Sequence, residues 1–318
     1  MDNLLQAKPE AQGTYQLPAD KERERLSLQD QVWKILFGGL NPPELHEAIN
    51  TRLAVRDGPP PAVLDVGCGS GGWATEMGNF YPQAHILGVD LVIDQTLNAP
   101  SNVQFKQLDI TQGVPPASGG YAIIHARVVT GHLKDPAAFI RAAHAKLAPG
   151  GLMILADGYK SLWGDKTEPV PLIPGIHDPK DALPTGSWWA GWVDFWWKTG
   201  YTHYRRVASL INEQPGLSLM FQQRYLIPVH ELDDDKAQKR LGAVSKSNIL
   251  VCPAPSSDGP LMYFMFLQKF CYNSVDSFLA TGQFTRTQID EWLKLIENEL
   301  ETKRLYTPWE VACGVKLS

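Results

Sequence analysis

The sequence predicts an α/β protein built on a mainly parallel sheet with helices on both faces. Two observations carry this. Between residues 62 and 157, short apolar runs alternate with helical patterns: 62–66, 85–89, 103–108, 121–125 and 152–156 read as strands, and 73–80 and 136–147 read as helices. Strands joined by crossover helices pair in parallel, and the crossovers cover both faces of the sheet. The second is a glycine-rich stretch, Gly67 to Gly72, between the first strand and the first of those helices. That is where a doubly wound sheet opens to a ligand.

The other elements follow in order. Residues 1–20 read as irregular, with Pro9 and Pro18 among polar neighbours. A helix over 21–37 puts Leu28, Val32, Ile35 and Leu36 on one face and leaves Lys21, Glu22, Arg23 and Glu24 in water. Gly38 and Gly39 end it, a short helix spans 44–55, and Pro59, Pro60 and Pro61 force a loop. Pro149, Gly150 and Gly151 break the helix over 136–147, whose inner side carries Phe139, Ile140, Ala143 and Leu147. Residues 158–187 are rich in Pro and Gly and read as irregular. Residues 187–206 hold Trp188, Trp189, Trp192, Trp196 and Trp197. A sixth strand over 217–229 and helices over 235–247, 261–280 and 285–305 come next, the last capped at Thr285 or Thr287. An alternating run over 309–317 suits a closing strand. The chain divides into an N-terminal helical segment (1–57), a ligand-binding core (58–157), a cap containing the sixth strand (158–284), and a C-terminal helix and strand returning to the core (285–318).

Composition narrows the function. A net charge of −5 over 318 residues lacks the basic footprint of a nucleic-acid binder. No segment is apolar for long enough to span a bilayer, and no basic start followed by an apolar run marks a secretory signal. Cys68, Cys252, Cys271 and Cys313 are scattered, so no metal site is expected and a reducing compartment fits, the cytoplasm above all.

Chemistry concentrates in Val63-Leu64-Asp65-Val66-Gly67-Cys68-Gly69-Ser70-Gly71-Gly72. Glycine allows both the tight turn and a close approach of backbone to ligand. Asp90 ends the second strand about 20 residues later, where an acid accepts both hydroxyls of a ribose, with Leu91 beside it. Gly67, Gly69 and Gly72 also read as a dinucleotide fingerprint, so a nicotinamide oxidoreductase is a rival. Asp65 argues against it, because a pyrophosphate on the next helix N-terminus would meet its negative charge. S-adenosylmethionine instead brings an ammonium and a sulfonium, which Asp65 would help to hold. Asp109 at the end of the third strand is placed to accept from the adenine amine, with Ile110 packing on the ring; the plain alternative for Asp109 is a helix cap.

Residues 62–157, with VLDVGCGSGGWATEM, ILGVD, QLDI, YAIIHAR and LAPGGLMILAD in that order, resemble the core of class I S-adenosylmethionine-dependent methyltransferases. The stretch from Tyr15 to Gln29 and the tripeptide His125-Ala126-Arg127 are similar to those of fungal LaeA-like methyltransferases. The resemblance implies a Rossmann-like, seven-stranded sheet whose last strand is antiparallel. It implies that Asp65, Gly67, Cys68, Gly69, Asp90, Leu91, Asp109 and Ile110 line the cofactor, and that Tyr15, Arg25 and Gln29 cover it from the N-terminal side. His125 is expected in the cofactor pocket, and Arg127 against cofactor or acceptor, or paired with an acid. The family often has a small polar residue after the fourth strand, where this chain has His132.

An activated methyl group needs mainly alignment and exclusion of water. A base is needed only when the acceptor must lose a proton, as a phenol or alcohol does and a carboxylate does not. His132, just beyond the fourth strand, is the candidate base or acceptor contact. Trp188, Trp192 and Trp196 are candidates for an acceptor lid, with plain core packing as the alternative. The reading is methyl transfer to a small apolar or aromatic acceptor, with S-adenosylhomocysteine as product and O-methylation favoured, in secondary metabolism. The rival from another class is a LaeA-like regulator acting through protein partners, which would also suit the nucleus. The helices over 230–284 are expected to complete the cap or to form a homodimer interface.

Overall fold

A computed structural model describes residues 19–55, 57–93, 98–158, 162–164, 168–170, 187–200, 205–230, 235–249, 275 and 278–317. Five strands lie parallel in the order β3-β2-β1-β4-β5: β1 (Ala62–Val66), β2 (His85–Asp90), β3 (Val103–Gln107), β4 (Tyr121–Arg127) and β5 (Leu147–Gly158). Their order reverses between β1 and β4, which creates the crevice expected to take a ligand. Beyond β5, β9 (Leu305–Lys316) runs antiparallel from Leu152↔Val315 to Gly158↔Trp309, and β8 (Leu217–Pro228) pairs along β9. These are the seven strands expected, with the closing strand antiparallel.

Two short strands were not foreseen, since residues 158–187 read as irregular. β6 (Leu162–Gly164) pairs with β7 (Glu168–Val170) and with Tyr306 and Leu305 of β9, giving nine strands among the described residues. The reason is length: β9 begins four residues before its first partner on β5, at Leu305 against Trp309, and β6 pairs with that overhang. The Pro149-Gly150-Gly151 break also differs in detail. Helix α4 (Pro136–Lys146) ends before it, and Leu147 already faces Tyr121, so the three residues form an irregularity inside a longer β5.

Alternation along β1 assigns the faces. Val63 packs with Trp33, Phe37, Ile49, Trp73 and Met77, which come from α1 (Ala19–Phe37), α2 (His46–Leu53) and α3 (Gly72–Phe80). Leu64 and Val66 pack on the other face with Phe139 and Ile140 of α4 and Val207 and Leu210 of α6 (Val207–Asn212). Asp65 therefore points to the α1 side. Helix α7 (Lys236–Ile249) packs beside α1 through Leu241, Ile227 and Val32.

A third core joins α5 (Trp188–Gly200) to α8 (Arg286–Thr302) through Trp189, Trp192, Phe278, Trp292 and Ile296. The C-terminal helix, expected to return to the sheet with β9, thus belongs with the tryptophan helix. Its stripe at Ile289, Trp292, Leu293, Ile296 and Leu300 has helical spacing, and α5 offers the matching apolar face. Glu299 fixes the junction by accepting from Ser187 Oγ at 2.8 Å and from the Trp189 N–H at 2.9 Å, at the open N-terminus of α5. Residues 1–18 and 250–274, with Phe264, Phe266, Leu267 and Phe270, lie outside the described residues. Among the described residues no helix is long and apolar enough to cross a membrane.

Thr285 caps α8: Gln288 N–H donates to its hydroxyl, and its own N–H donates to Gln288 Oε1 at 2.8 Å. Thr285→Ala should cost about 1 kcal/mol of stability, read by urea denaturation.

Candidate active site

The site is built at the carboxyl ends of β1, β2 and β4. Gly67 turns out of β1 with φ +66°, and its N–H and that of Cys68 donate to Val89 O at 2.8 and 3.1 Å. A Cβ at Gly67 would stand 2.4 Å from Val129 Cγ2, so both conformation and space require glycine. Gly71 also has positive φ, and no side chain caps α3 where it begins at Gly72. The partial positive charge of that terminus faces the loop. Cys68 is buried in the turn, where desolvation and then the charges of Asp65 and Asp90 push its thiol well above the usual range, making it a poor nucleophile.

Asp90 receives the Gly69 N–H on Oδ2 at 2.8 Å. Burial raises its carboxyl above the usual range, against hydrogen bonds from the Gly69, Val92 and Leu91 backbones. Leu91 beside it is 45% exposed, a large apolar side chain open to a ligand. Asp109 accepts from Thr111 Oγ1 at 2.7 Å and Thr111 N–H at 2.9 Å, and these bonds hold its carboxyl below the usual range. It caps the 3-10 turn Ile110–Gln112, where Ile110 is half-buried. A cradle that a Cβ would fill, with a carboxylate on its backbone and an apolar side chain open beside it, fits an adenosyl ligand.

Asp65 and His125 are register partners on adjacent strands, so their side chains share a face. Asp65 Oδ1 lies 2.7 Å from His125 Nδ1, and the imidazole stacks on Trp73 with centroids 3.8 Å apart. Both were expected to line the cofactor pocket directly. Instead they are 2% and 4% exposed and bonded to each other beneath the loop, because a carboxylate under α1 and α3 needs a partner. Burial pushes the imidazole below its usual range, against the pull of Asp65.

Arg127 ends β4 on that same face. Its Nη2 donates to Asp30 Oδ1 of α1 at 2.6 Å, and the guanidinium lies over Trp33, 5.6 Å from the ring centroid. Of the roles expected for Arg127, pairing with an acid is the one seen. Gln29, the neighbour of Asp30, is half-buried on α1. Arg25 is placed on α1 by its backbone alone, and Tyr15 lies outside the described residues.

After Arg127 the chain turns sharply. Val128 has φ +56°, an uncommon conformation for a β-branched residue. The 3-10 turn Thr130–His132 follows, and buried Asp157 of β5 fastens it by accepting from Thr130 Oγ1 at 2.7 Å and Gly131 N–H at 3.0 Å. His132 is exposed at the end of this turn.

The tryptophans separate. Trp192 is fully buried against Phe278 and Trp292, so the expected acceptor contact does not match its position; it fills the third core. Trp188 is half-buried, and its carbonyl accepts from Trp292 Nε1 at 3.0 Å. The side chain of Trp196 lies outside the described residues. Sequence reasoning missed Asp30, Trp33, Trp73 and Asp157 as parts of the site. Asp30 alone left a signal, a charge beside Gln29 on a helix already expected to cover the cofactor.

Fold and loop together define a class I S-adenosylmethionine-dependent methyltransferase. A family model described as a methyltransferase domain matches residues 41–205, and the chain belongs to that family. Methyltransferase pytC of Aspergillus terreus is 33% identical over 248 residues, spanning 75% of this chain and 68% of that protein. Methyltransferase str2 of Strobilurus tenacellus is 25% identical over 249 residues, 77% of this chain and 82% of that one. The secondary metabolism regulator laeA of Coprinopsis cinerea is 29% identical over 183 residues, 57% of this chain but 43% of that protein.

Two predictions follow from the geometry. Gly67→Ala should weaken cofactor binding and lower stability, and adding Val129→Ala should recover only part, because positive φ still strains the residue. The measurements are calorimetry and thermal melting. The second concerns His125, whose folded value is depressed. The unfolded chain therefore takes up a proton near pH 6.5 that the folded chain does not. The associated stability is complete above that pH and is lost as pH falls through the depressed folded value. His125→Gln should make urea stability fall less steeply below about pH 6.5.

Proposed function

We propose that the protein methylates an oxygen of a small apolar or aromatic acceptor in secondary metabolism. The observation that carries the cofactor assignment is the Asp90 carboxylate on the Gly69 N–H. A pyrophosphate seated on the loop would meet the charge of Asp65, which disfavours a nicotinamide enzyme, whereas Asp90 suits the ribose of either ligand. Asp90 is assigned to the ribose hydroxyls, Leu91 and Ile110 to the adenine faces, and Asp109 to the adenine amine. The backbone of Gly67, Cys68 and Gly69 lies along the ligand. Asp65, paired with His125, supplies negative potential to the ammonium end from below the loop. Gln29 is assigned to cover it from the α1 side.

S-adenosylmethionine, held by Asp90, Leu91, Asp109, Ile110 and the Gly67–Gly69 backbone, would supply an activated methyl group to the acceptor oxygen and leave as S-adenosylhomocysteine. The chain's part is to align the acceptor and exclude water. His132, on a turn clamped by Asp157, is assigned to take the proton of a hydroxyl acceptor. A carboxylate acceptor would leave it only a binding role. Trp188 is the described tryptophan assigned to the acceptor side. The regulatory reading is favoured by the laeA likeness, but that match covers less than half of laeA, whereas the two named methyltransferases are covered at 82% and 68%. The enzymatic reading is therefore preferred.

Calorimetry should show micromolar binding of S-adenosylmethionine and S-adenosylhomocysteine, none of NADH, and at least tenfold weaker adenosyl binding in Asp90→Ala. Binding of NADH alone would sink the proposal. With a phenolic acceptor, His132→Ala should lower kcat by about 10²-fold or more and change the pH profile of kcat. Unchanged turnover and pH profile would exclude His132 as base.

A further inference from the structure

Helix α1 is fastened to the site by charge as well as by packing. Asp30 is 6% exposed. One carboxylate oxygen receives Arg127 Nη2 at 2.6 Å, and the other lies 2.7 Å from Lys34 Nζ. Lys34 also pairs with Glu76 of α3. A four-member chain, Arg127–Asp30–Lys34–Glu76, thus joins the end of β4, the middle of α1 and the first turns of α3. Asp30 also stands over the loop itself, since a Cβ at Gly72 would come 2.8 Å from its Oδ2. One helical turn earlier, Leu26 Cδ1 would stand 3.0 Å from a Cβ at Gly69. Trp33, fully buried and tilted against Trp309 with ring centroids 4.2 Å apart, places its ring under the Arg127 guanidinium. These contacts put one face of α1 directly on the glycine turn.

We propose that Asp30 is a positioning residue for the cofactor: it holds α1 on the glycine loop, so that cofactor binding and docking of α1 occur together. This rests on the cofactor assignment above. The physical case is the burial of the charges. Arg127 has only 15% of its side-chain surface exposed and Lys34 31%. Arg127 has its carboxylate in Asp30, and breaking that buried pair from one side leaves the guanidinium charge without compensation, whereas Lys34 keeps Glu76. Without the carboxylate, α1 loses its tie to β4, and the face that carries Gln29 is no longer held over the loop. A ligand that needs that face must then order the helix itself, and its apparent affinity falls by the fraction of chains in which the helix is docked.

The test compares wild type, Asp30→Asn and Asp30→Glu by calorimetry with S-adenosylmethionine and by hydrogen exchange of the α1 amides with and without it. In wild type the ligand should slow exchange along α1. In Asp30→Asn affinity should fall about tenfold, as for a moderate coupling between sites, and the ligand should no longer slow exchange there. Asp30→Glu should recover part of both. Wild-type affinity in Asp30→Asn, or weaker binding with α1 protection unchanged, would overturn the proposal. Should Asp30→Asn fail to fold, Lys34→Met cuts the outer link at a more exposed position. A smaller loss of affinity and protection supports the proposal, and no change in either overturns it. A wild-type chain that does not bind S-adenosylmethionine overturns the cofactor assignment itself, whereas wild-type binding with an unaffected Asp30→Asn overturns only the role of Asp30.

Discussion

Gly67 turns out of β1 at a point where a methyl group would overlap Val129. From that steric constraint the rest of the site follows. The turn brings the Gly67 and Cys68 N–H groups onto Val89, which locks the loop to the end of β2. With the loop there, the Gly69 N–H faces Asp90, and α3 starts with its positive end toward the same space. Val129 is the other half of the constraint, because it belongs to the sharp turn after β4. The cofactor loop and the segment carrying His132 are therefore packed against each other and cannot be repositioned independently.

Buried carboxylates recur among the described residues, and besides Glu299 four have defined partners. Asp65 has His125, Asp30 has Arg127 and Lys34, Asp157 has Thr130 and Gly131, and Glu310 has Arg206 and Gln222. A buried charge is tolerated only when paired and hydrogen-bonded, and such a pair fixes geometry more reliably than it adds stability. Three of the four sit at the carboxyl ends of strands or on α1 above them, where the ligand is expected. Glu310 serves the far side of β9, tying β8 and the start of α6 to the sheet.

How much of this was legible follows from the range of each signal. The core strands are short apolar runs between helical patterns, and β1 runs into glycines, so β1 and the first residues of β2, β3 and β4 could be read directly, and with them Gly67, Gly69, Asp90 and Asp109. The cap of α8 is a signal local to a few residues, legible as Thr285 or Thr287, and Gln288 settles it on Thr285. β6 was not legible, because three residues pair only where β9 overruns β5, and nothing near Leu162 encodes that length. Trp192 could not be assigned from its own spacing: an apolar helical face looks the same whether it meets a ligand or another helix, and here Trp292 and Phe278 decide it. The Asp65–His125 pair joins residues 60 apart in sequence, and only the register of β1 on β4 brings them together.

The end of β4 joins the glycine loop to the turn that carries His132, and its backbone departs from a regular strand there. Arg127 and Val128 are consecutive, yet Arg127 reaches Asp30 of α1 while Val128 packs against the same core. Regular strand alternation would send one of them to the opposite face. The positive φ of Val128 breaks that alternation, and the strand ladder still holds the residue through its N–H to Ala156 O at 2.7 Å. Such strain costs on the order of 1–3 kcal/mol and persists where surrounding contacts over-determine it. Here the contacts are the Arg127–Asp30 pair on one side and the turn gripped by Asp157 on the other. The strained residue thus lets one strand end send its guanidinium to Asp30 of α1 while the turn that follows carries His132 beside the glycine loop.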